Sequence, residues 1–122
     1  MFDNQKPTSQ VLGRFQPFHD GHLALFKKSL EETGQVCIMI RDMPEDENNP
    51  FHVRSVRLKI EDELTKHGYT HGIEYIIMVV PNIVDISYGR DVGYTFTKHD
   101  LGEEIHQISA TNIRKVLNKH DN

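Results

Sequence analysis

The chain has 122 residues, a formal net charge of −4 and a hydrophobic content of 37%. Its mean hydropathy is −0.54. This length suits one domain with a modest core, so we expect a single domain over residues 1–122. The acidic balance excludes a general nucleic-acid or membrane-surface binder, and any anionic ligand must therefore be held by a local group of residues.

The chain contains one cysteine, Cys37, inside an apolar run. One cysteine excludes an intrachain disulfide and fits a reducing compartment. The sequence shows no secretory leader and no apolar run of membrane-spanning length. We therefore expect a cytoplasmic protein without a membrane partner.

Hydrophobic periodicity predicts alternating strands and helices along the first two thirds of the chain. Apolar residues at helical spacing predict two amphipathic helices, and continuous apolar runs predict buried strands. In chain order these are a strand over residues 9–14, a helix over 21–32, a strand over 35–41, a helix over 51–67 and a strand over 74–80. An acidic, proline-bounded loop over residues 42–50 separates the second strand from the second helix.

In the last third of the chain, the sequence pattern predicts a further strand over residues 84–88, a short strand over 94–97 and a closing helix over 111–118. Strands that alternate with helices favour right-handed crossovers and a parallel sheet. We therefore expect an α/β fold, a Rossmann-like parallel sheet with helices on both faces. In such sheets, ligands bind beyond the carboxyl ends of the strands.

The segment from Gly13 to His22 closes the first strand and opens the first helix. His19 and His22 are three residues apart, so both can face one side of the helix start. The unpaired N–H groups and the positive dipole end there favour a phosphate, and Gly21 leaves room for its approach. With eight histidines in the chain, chance alone would give about half of one pair at this spacing. The evidence for a phosphate site therefore comes from the residues around the pair.

A second motif lies near the end of the sequence, over residues 108–114. Ser109 and Thr111 lie at the start of the closing helix, where a hydroxyl can cap the helix or bind a phosphate. Arg114 lies three residues beyond Thr111 and can clamp phosphate oxygens.

Together the two segments resemble the paired signatures of the nucleotidyltransferase superfamily. Gly13–His22 resembles its H-x-G-H motif, most closely that of nicotinamide-mononucleotide adenylyltransferases, and residues 108–114 resemble its I-S-S-T-x-x-R motif, with Ala110 replacing a serine. The resemblance implies the nucleotidyltransferase type of fold and three catalytic residues, His19, His22 and Arg114. It implies these nucleotide-binding residues: Gly13, Arg14, Phe15, Gly21, Gly89, Arg90, Asp91, Ser109 and Thr111.

Other basic residues stay open as site candidates. Asn49-Pro50-Phe51 resembles a segment of the family in which an arginine at the start of the following helix contributes to the active site. In this chain Arg54 or Arg57 could take that role, or both could lie on the surface. Arg41 and Asp42 end the second strand and are candidates for acceptor binding. His67 and His71 have zinc-like spacing, but we expect a surface loop there and no protein-bound metal.

The resemblance implies transfer of a nucleoside monophosphate to a phosphorylated small molecule, with release of pyrophosphate. ATP is the favoured nucleotide and CTP, as in glycerol-phosphate cytidylyltransferases, is the alternative. Mg²⁺ would bind through the nucleotide phosphates. A non-catalytic nucleotide-binding module is the contrasting hypothesis, and a homo-oligomer stays open by analogy.

The acceptor stays open as well. The nicotinamide-mononucleotide branch carries a longer segment with an Asn-x-x-Trp element between its third and fourth strands. This chain contains no tryptophan and has only Pro81-Asn82-Ile83 at that place. The acceptor could therefore be another phosphate ester.

Overall fold

A computed structural model of the chain describes residues 1–90 and 93–99. Three strands alternate with two helices, as the periodicity predicts, and each element begins and ends within two residues of its predicted bounds. They are β1 (Ser9–Gly13), α1 (Asp20–Thr33), β2 (Val36–Arg41), α2 (Val53–Lys66) and β3 (Tyr75–Val80).

The three strands form one parallel sheet in the order β1-β2-β3. Gly13 pairs with Ile40 of β2, and the next residue of β2, Arg41, pairs with Val80 at the end of β3. All three strands therefore end at the same edge of the sheet. The chain leaves that edge in three loops, which begin at residues 14, 42 and 81.

One face of the sheet carries the core. Inward positions alternate along each strand, and the register aligns Val11, Ile38 and Ile77 across the sheet. Both helices add their apolar stripes to this same cluster, Leu23 and Phe26 from α1 and three residues from α2: Val56, Ile60 and Leu64. Each fully buried aliphatic side chain contributes about 1.5–3 kcal/mol to this packing.

The helix ends follow local chemistry. Gly34 ends α1 in a left-handed conformation, with φ of 89°, and its N–H donates to the carbonyl of Leu30 at 2.7 Å. On the exposed side of α2, Lys59 pairs with Glu63 at 3.1 Å. Exposed pairs of this kind add only about 0.3–0.5 kcal/mol, so packing holds α2 in place.

Within the described ranges, no helix combines the length and the apolar character needed to span a membrane.

The fourth strand predicted over residues 84–88 is wrong, because the structure leaves this segment outside the sheet. Val84 is 82% exposed, and Ile86 and Tyr88 are exposed as well. The short strand predicted over residues 94–97 is also wrong. Alternating apolar residues show that a segment can pair, but a strand also needs a neighbour with unpaired backbone groups.

The α/β class and the Rossmann-like parallel sheet are confirmed. Because α1 and α2 share one core, the described part of the chain carries helices on one face of the sheet only. The predicted helix over residues 111–118 lies outside the described residues. The single domain expected over residues 1–122 stays a prediction for the same reason.

Tyr75 provides a test of the core. Its side chain is fully buried, and its hydroxyl has no hydrogen-bond partner within residues 1–90 and 93–99. Burial raises the pKa of Tyr75 to about 12. A buried, unpaired hydroxyl costs about 1–3 kcal/mol, so Tyr75→Phe removes a penalty. We expect the free energy of unfolding in urea to stay level or rise by about 1 kcal/mol.

Tyr69→Phe is the matched control, because Tyr69 also packs its ring on Phe26 but is only half-buried. A loss of stability in Tyr75→Phe well beyond that of Tyr69→Phe would show that the Tyr75 hydroxyl is paired in solution.

Candidate active site

Two histidines cap the start of α1 reciprocally. The N–H of Gly21 donates to Nδ1 of His19 at 3.0 Å. The N–H of His19 donates to Nδ1 of His22 at 3.1 Å. The spacing of three residues produces this arrangement, as in a capping box, with imidazoles in place of the usual hydroxyl and carboxyl groups.

The capping bonds decide where each imidazole carries its proton. Nδ1 of each ring accepts a hydrogen bond, so it holds no proton. A neutral imidazole then carries its proton on Nε2. His19 and His22 therefore each offer one N–H donor to a ligand, at the end of the helix where the dipole is positive.

The surroundings keep both rings neutral. Burial, together with a smaller contribution from the neighbouring His19, lowers the pKa of His22 to about 3. Burial also lowers the pKa of His19, against an opposing contribution from the carboxylate of Asp20. At neutral pH the two rings are hydrogen-bond donors rather than acids or bases.

An aromatic floor, formed by Phe15 and Phe18, supports the histidines. The ring of His22 stacks on His19 and Phe18, with centroid distances of 3.9 and 5.5 Å, and meets the edge of Phe15 at 4.9 Å. Phe15 has a φ of 53°, a conformation that costs a non-glycine residue about 1 kcal/mol or more. A Cβ on Gly13 would lie 3.1 Å from the Phe15 ring, so a side chain at this position would crowd the ring.

Arg14 reaches across to the loop that follows β2. Its Nη1 donates to Oδ1 of Asn49 at 3.4 Å. Asn49 is 3% exposed and donates from Nδ2 to Oδ1 of Asp46 at 3.0 Å. The side-chain hydrogen bond from Asn49 is the largest cause that lowers the pKa of Asp46, and the backbone N–H groups of Asn48 and Asn49 add to it. A continuous polar network therefore orients the Arg14 guanidinium.

Gln16 joins the same two loops through a reciprocal pair of bonds. Its Nε2 donates to the carbonyl of Phe51 at 2.9 Å, and its Oε1 accepts from the N–H of Phe51 at 2.9 Å. The Gln16 side chain thus satisfies both backbone groups of one residue, as a neighbouring strand would. Neither Gln16 nor Asn49 has a role predicted from the sequence, although Gln16 lies between Gly13 and His22 and Asn49 begins the Asn49-Pro50-Phe51 segment.

Arg41 ends β2, the strand next to the one that leads into the histidine loop (residues 13–22). Its Nη2 donates to Oδ1 of Asn82 at 2.8 Å. Its Nε is buried and has no acceptor among the described residues. Asn82 is a third residue whose role the sequence did not predict. Only its place two residues after the end of β3 could have indicated it.

The structure brings part of the expected nucleotide site together. Gly13, Arg14, Gly21, His19 and His22 gather at one loop. Phe15 lies beneath them and is only 2% exposed, so its ring is not available to a ligand.

The remaining candidates lie elsewhere. Gly89 and Arg90 are exposed, and within the described ranges no hydrogen bond or ion pair joins them to the histidines. Arg54 is exposed, and Arg57 pairs with Glu61 at 3.5 Å. The other predicted site residues, Asp91, Ser109, Thr111 and Arg114, lie outside the described residues, and their roles stay predictions.

The first half of the chain matches a known family. The sequence model of the cytidylyltransferase-like family matches residues 11–67. This stretch contains the whole histidine loop and both helices.

Curated relatives are nicotinamide-nucleotide adenylyltransferases of archaea. The protein from Ignicoccus hospitalis is 42% identical over 57 residues, which cover 42% of this chain and 33% of the relative. The protein from Methanococcus aeolicus is 30% identical over 111 residues, covering 86% and 64%. Nicotinamide-nucleotide adenylyltransferase 1 of Sulfolobus acidocaldarius is 27% identical, covering 89% and 77%. The chain thus spans a third of the first of these relatives and 64% of the second.

A solved structure agrees with the sequence comparison. The bifunctional NMN adenylyltransferase/ADP ribose pyrophosphatase of Francisella tularensis, complexed with AMP and a manganese ion, superposes with a TM-score of 0.57 at 29% identity. The similarity covers 62% of this chain and 23% of that protein.

The described residues form a Rossmann-like parallel α/β sheet with neutral imidazoles at the start of its first helix. The matches described above support an assignment to the nucleotidyltransferase superfamily, near the nicotinamide-mononucleotide adenylyltransferases.

The depressed pKa of His22 predicts acid sensitivity. Its pKa is about 3 in the folded state, against an ordinary value of 6.5. Between these values the unfolded chain binds the extra proton, so stability falls as pH falls. We expect full stability above pH 6.5 and a loss of a few kcal/mol, at most about 1.4 kcal/mol per pH unit, as pH approaches 3.

Urea unfolding between pH 7 and pH 4 measures this effect. His22→Gln has no imidazole at this position, so its stability should fall less steeply over the same range. Parallel curves for the two proteins would contradict the assignment of a neutral, buried His22.

Proposed function

We propose that this chain carries the nucleotidyl-transfer site of an adenylyltransferase. It transfers AMP from ATP to the phosphate of nicotinamide mononucleotide, or a closely related phosphate monoester, and releases pyrophosphate. The observation that carries the proposal is the pair of neutral imidazoles, each with Nδ1 occupied by a capping bond and a proton on Nε2. The activity named for the relatives supports the choice of nucleotide and acceptor.

The transfer needs no protein nucleophile. An oxygen of the acceptor phosphate attacks the α-phosphorus of ATP and forms the new P–O bond. The bond to the bridging oxygen breaks, and pyrophosphate leaves with its electrons. The acceptor phosphate is already ionised at neutral pH, so no strong base is required.

His19 and His22 stabilise the charge that grows on the phosphoryl oxygens during transfer. Fixed donors aimed at such oxygens lower the barrier because they need no reorganisation as the reaction proceeds. Because the pKa of each ring is lowered, both rings act as neutral donors at neutral pH. Arg14 adds a guanidinium that the Asn49 and Asp46 network already orients.

A divalent cation enters with the nucleotide in this proposal. No group of three or more metal-ligating side chains exists within the part of the chain that the structure describes. This arrangement suits Mg²⁺ that binds mainly through ATP phosphates, where it neutralises charge. The manganese ion in the Francisella tularensis protein is consistent with a divalent cation.

The second motif would complete the nucleotide site. We propose that Arg114 clamps the leaving pyrophosphate and that Ser109 and Thr111 donate to it. Gly89, Arg90 and Asp91 would contact the nucleotide from the loop that follows β3. These roles rest on the resemblance of both segments to family motifs.

CTP is the alternative nucleotide, and an assay of pyrophosphate release distinguishes CTP from ATP. Pyrophosphate release should require ATP and nicotinamide mononucleotide together. Release with CTP and glycerol phosphate would instead establish the cytidylyltransferase alternative. Nucleotide binding without release, across a panel of phosphate monoesters, would identify a non-catalytic module.

His22→Ala tests the catalytic role of the pair. Loss of one fixed donor should lower kcat for pyrophosphate release by about a hundredfold, with a smaller change in the KM for ATP. His71→Ala is the matched control, because His71 is exposed and lies outside the loop.

His22→Gln retains an N–H donor and should recover part of the lost rate. Circular dichroism of each variant confirms that α1 still forms. Wild-type turnover in a folded His22→Ala protein would rule out the assigned role.

A further inference from the structure

We propose that Gln16 is a positioning residue for nucleotidyl transfer. Its side chain fixes the histidine loop against the start of α2 and thereby aims the Nε2–H donors of His19 and His22. This role rests on the proposed function and deepens it, because it names the residue that keeps those donors in line.

The Gln16 side chain is buried, with 3% of the residue exposed. Its amide forms two bonds to the backbone of Phe51, each 2.9 Å long. Burial of an amide costs free energy unless its donor and its acceptor are both paired. The side chain is therefore held in the conformation that makes both bonds, and this conformation fixes the distance between the two backbone segments.

Phe51 is a firm anchor for this pair of bonds. Its side chain packs against the hydrophobic core, and α2 begins two residues later, at Val53. Val56 and Ile60 then bury α2 against the same core. Gln16 thus ties the histidine loop to a segment whose position the core determines.

A second side-chain bond runs beside the first with the same offset. Arg14 donates to Asn49, and Gln16 bonds to Phe51, so each pair is 35 positions apart along the chain. Neighbouring parallel strands keep such a constant offset through their backbone bonds. Here a guanidinium and an amide replace that ladder, because residues 14–19 lie outside both strand and helix.

The histidines follow Gln16 at close range. The ring of Phe18, two residues along, stacks on His22 with a centroid distance of 5.5 Å. His19 comes next and caps α1. Phe18 is buried in close packing, so a shift of the loop at Gln16 is passed on to both imidazoles. Catalytic groups must be held to within about 0.5 Å, and a displacement of about 1 Å can lower a rate by about a hundredfold.

A second buried glutamine makes the same pattern of bonds at the opposite edge of the sheet. Gln35 is 6% exposed. Its Oε1 accepts from the N–H of Asp3 at 3.1 Å, and its Nε2 donates to the carbonyl of Asp3 at 2.7 Å. Gln35 precedes β2, whereas the histidine loop follows β1, so the two glutamines lie at different ends of parallel strands. Gln35 therefore provides a control with matched burial and bonding.

The test compares Gln16→Leu with Gln35→Leu in pyrophosphate release from ATP and nicotinamide mononucleotide. Leucine removes both bonds in each protein, so thermal unfolding should show similar losses of Tm. We expect kcat to fall by about tenfold to a hundredfold in Gln16→Leu, with the KM for ATP within about threefold. In Gln35→Leu, kcat should stay within about twofold of the wild type.

Gln16→Glu is the conservative variant. It keeps an acceptor for the N–H of Phe51 and should recover part of the rate that Gln16→Leu loses. If Gln16→Leu does not fold, Gln16→Glu replaces it in every measurement, and Gln35→Glu becomes the control.

An NMR measurement tests the same role without turnover. Long-range proton–nitrogen spectra distinguish an imidazole protonated on Nε2 from one protonated on Nδ1. His19 and His22 should show the Nε2–H form in the wild type and in Gln35→Leu. In Gln16→Leu the capping bonds loosen, so the Nδ1–H form should appear beside it.

Equal losses of kcat in Gln16→Leu and Gln35→Leu would overturn the assignment, because a general loss of stability would explain both. Wild-type kcat in a folded Gln16→Leu protein, or unchanged histidine signals, would overturn it as well. Failure of the proposed function would appear separately, as a lack of pyrophosphate release by the wild-type protein. The histidine spectra would then decide by themselves whether Gln16 holds the pair.

Discussion

The reciprocal capping bonds between His19 and His22 are the constraint on which the site depends. They satisfy two N–H groups that a helix start would otherwise leave unpaired. In doing so they occupy Nδ1 of both rings and direct the proton to Nε2. One pair of local bonds therefore starts α1, keeps two imidazoles neutral and creates the donors that a phosphoryl group requires. Burial against Phe15 and Phe18 reinforces this state because it disfavours the charged form.

Side-chain hydrogen bonds hold together the other segments at the carboxyl edge of the sheet. Gln16 bonds to both backbone groups of Phe51, and Arg14 bonds to Asn49. Arg41 bonds to Asn82 across the ends of β2 and β3. Each bond links two of the three loops that leave the sheet. Their donors are thus oriented before a ligand arrives, and such preorganisation is the main source of electrostatic stabilisation in a transfer reaction.

The sequence by itself determined β1, α1, β2, α2 and β3 to within two residues, because their periodicity is local and strong. It also located the histidine loop, since the capping pattern lies within four residues. The tertiary structure decided the rest. Residues 84–88 alternate like a strand but pair with no strand among the described residues, and pairing is not a local property. Gln16 and Asn82 meet partners 35 and 41 residues away, so only the folded sheet could show what they bind.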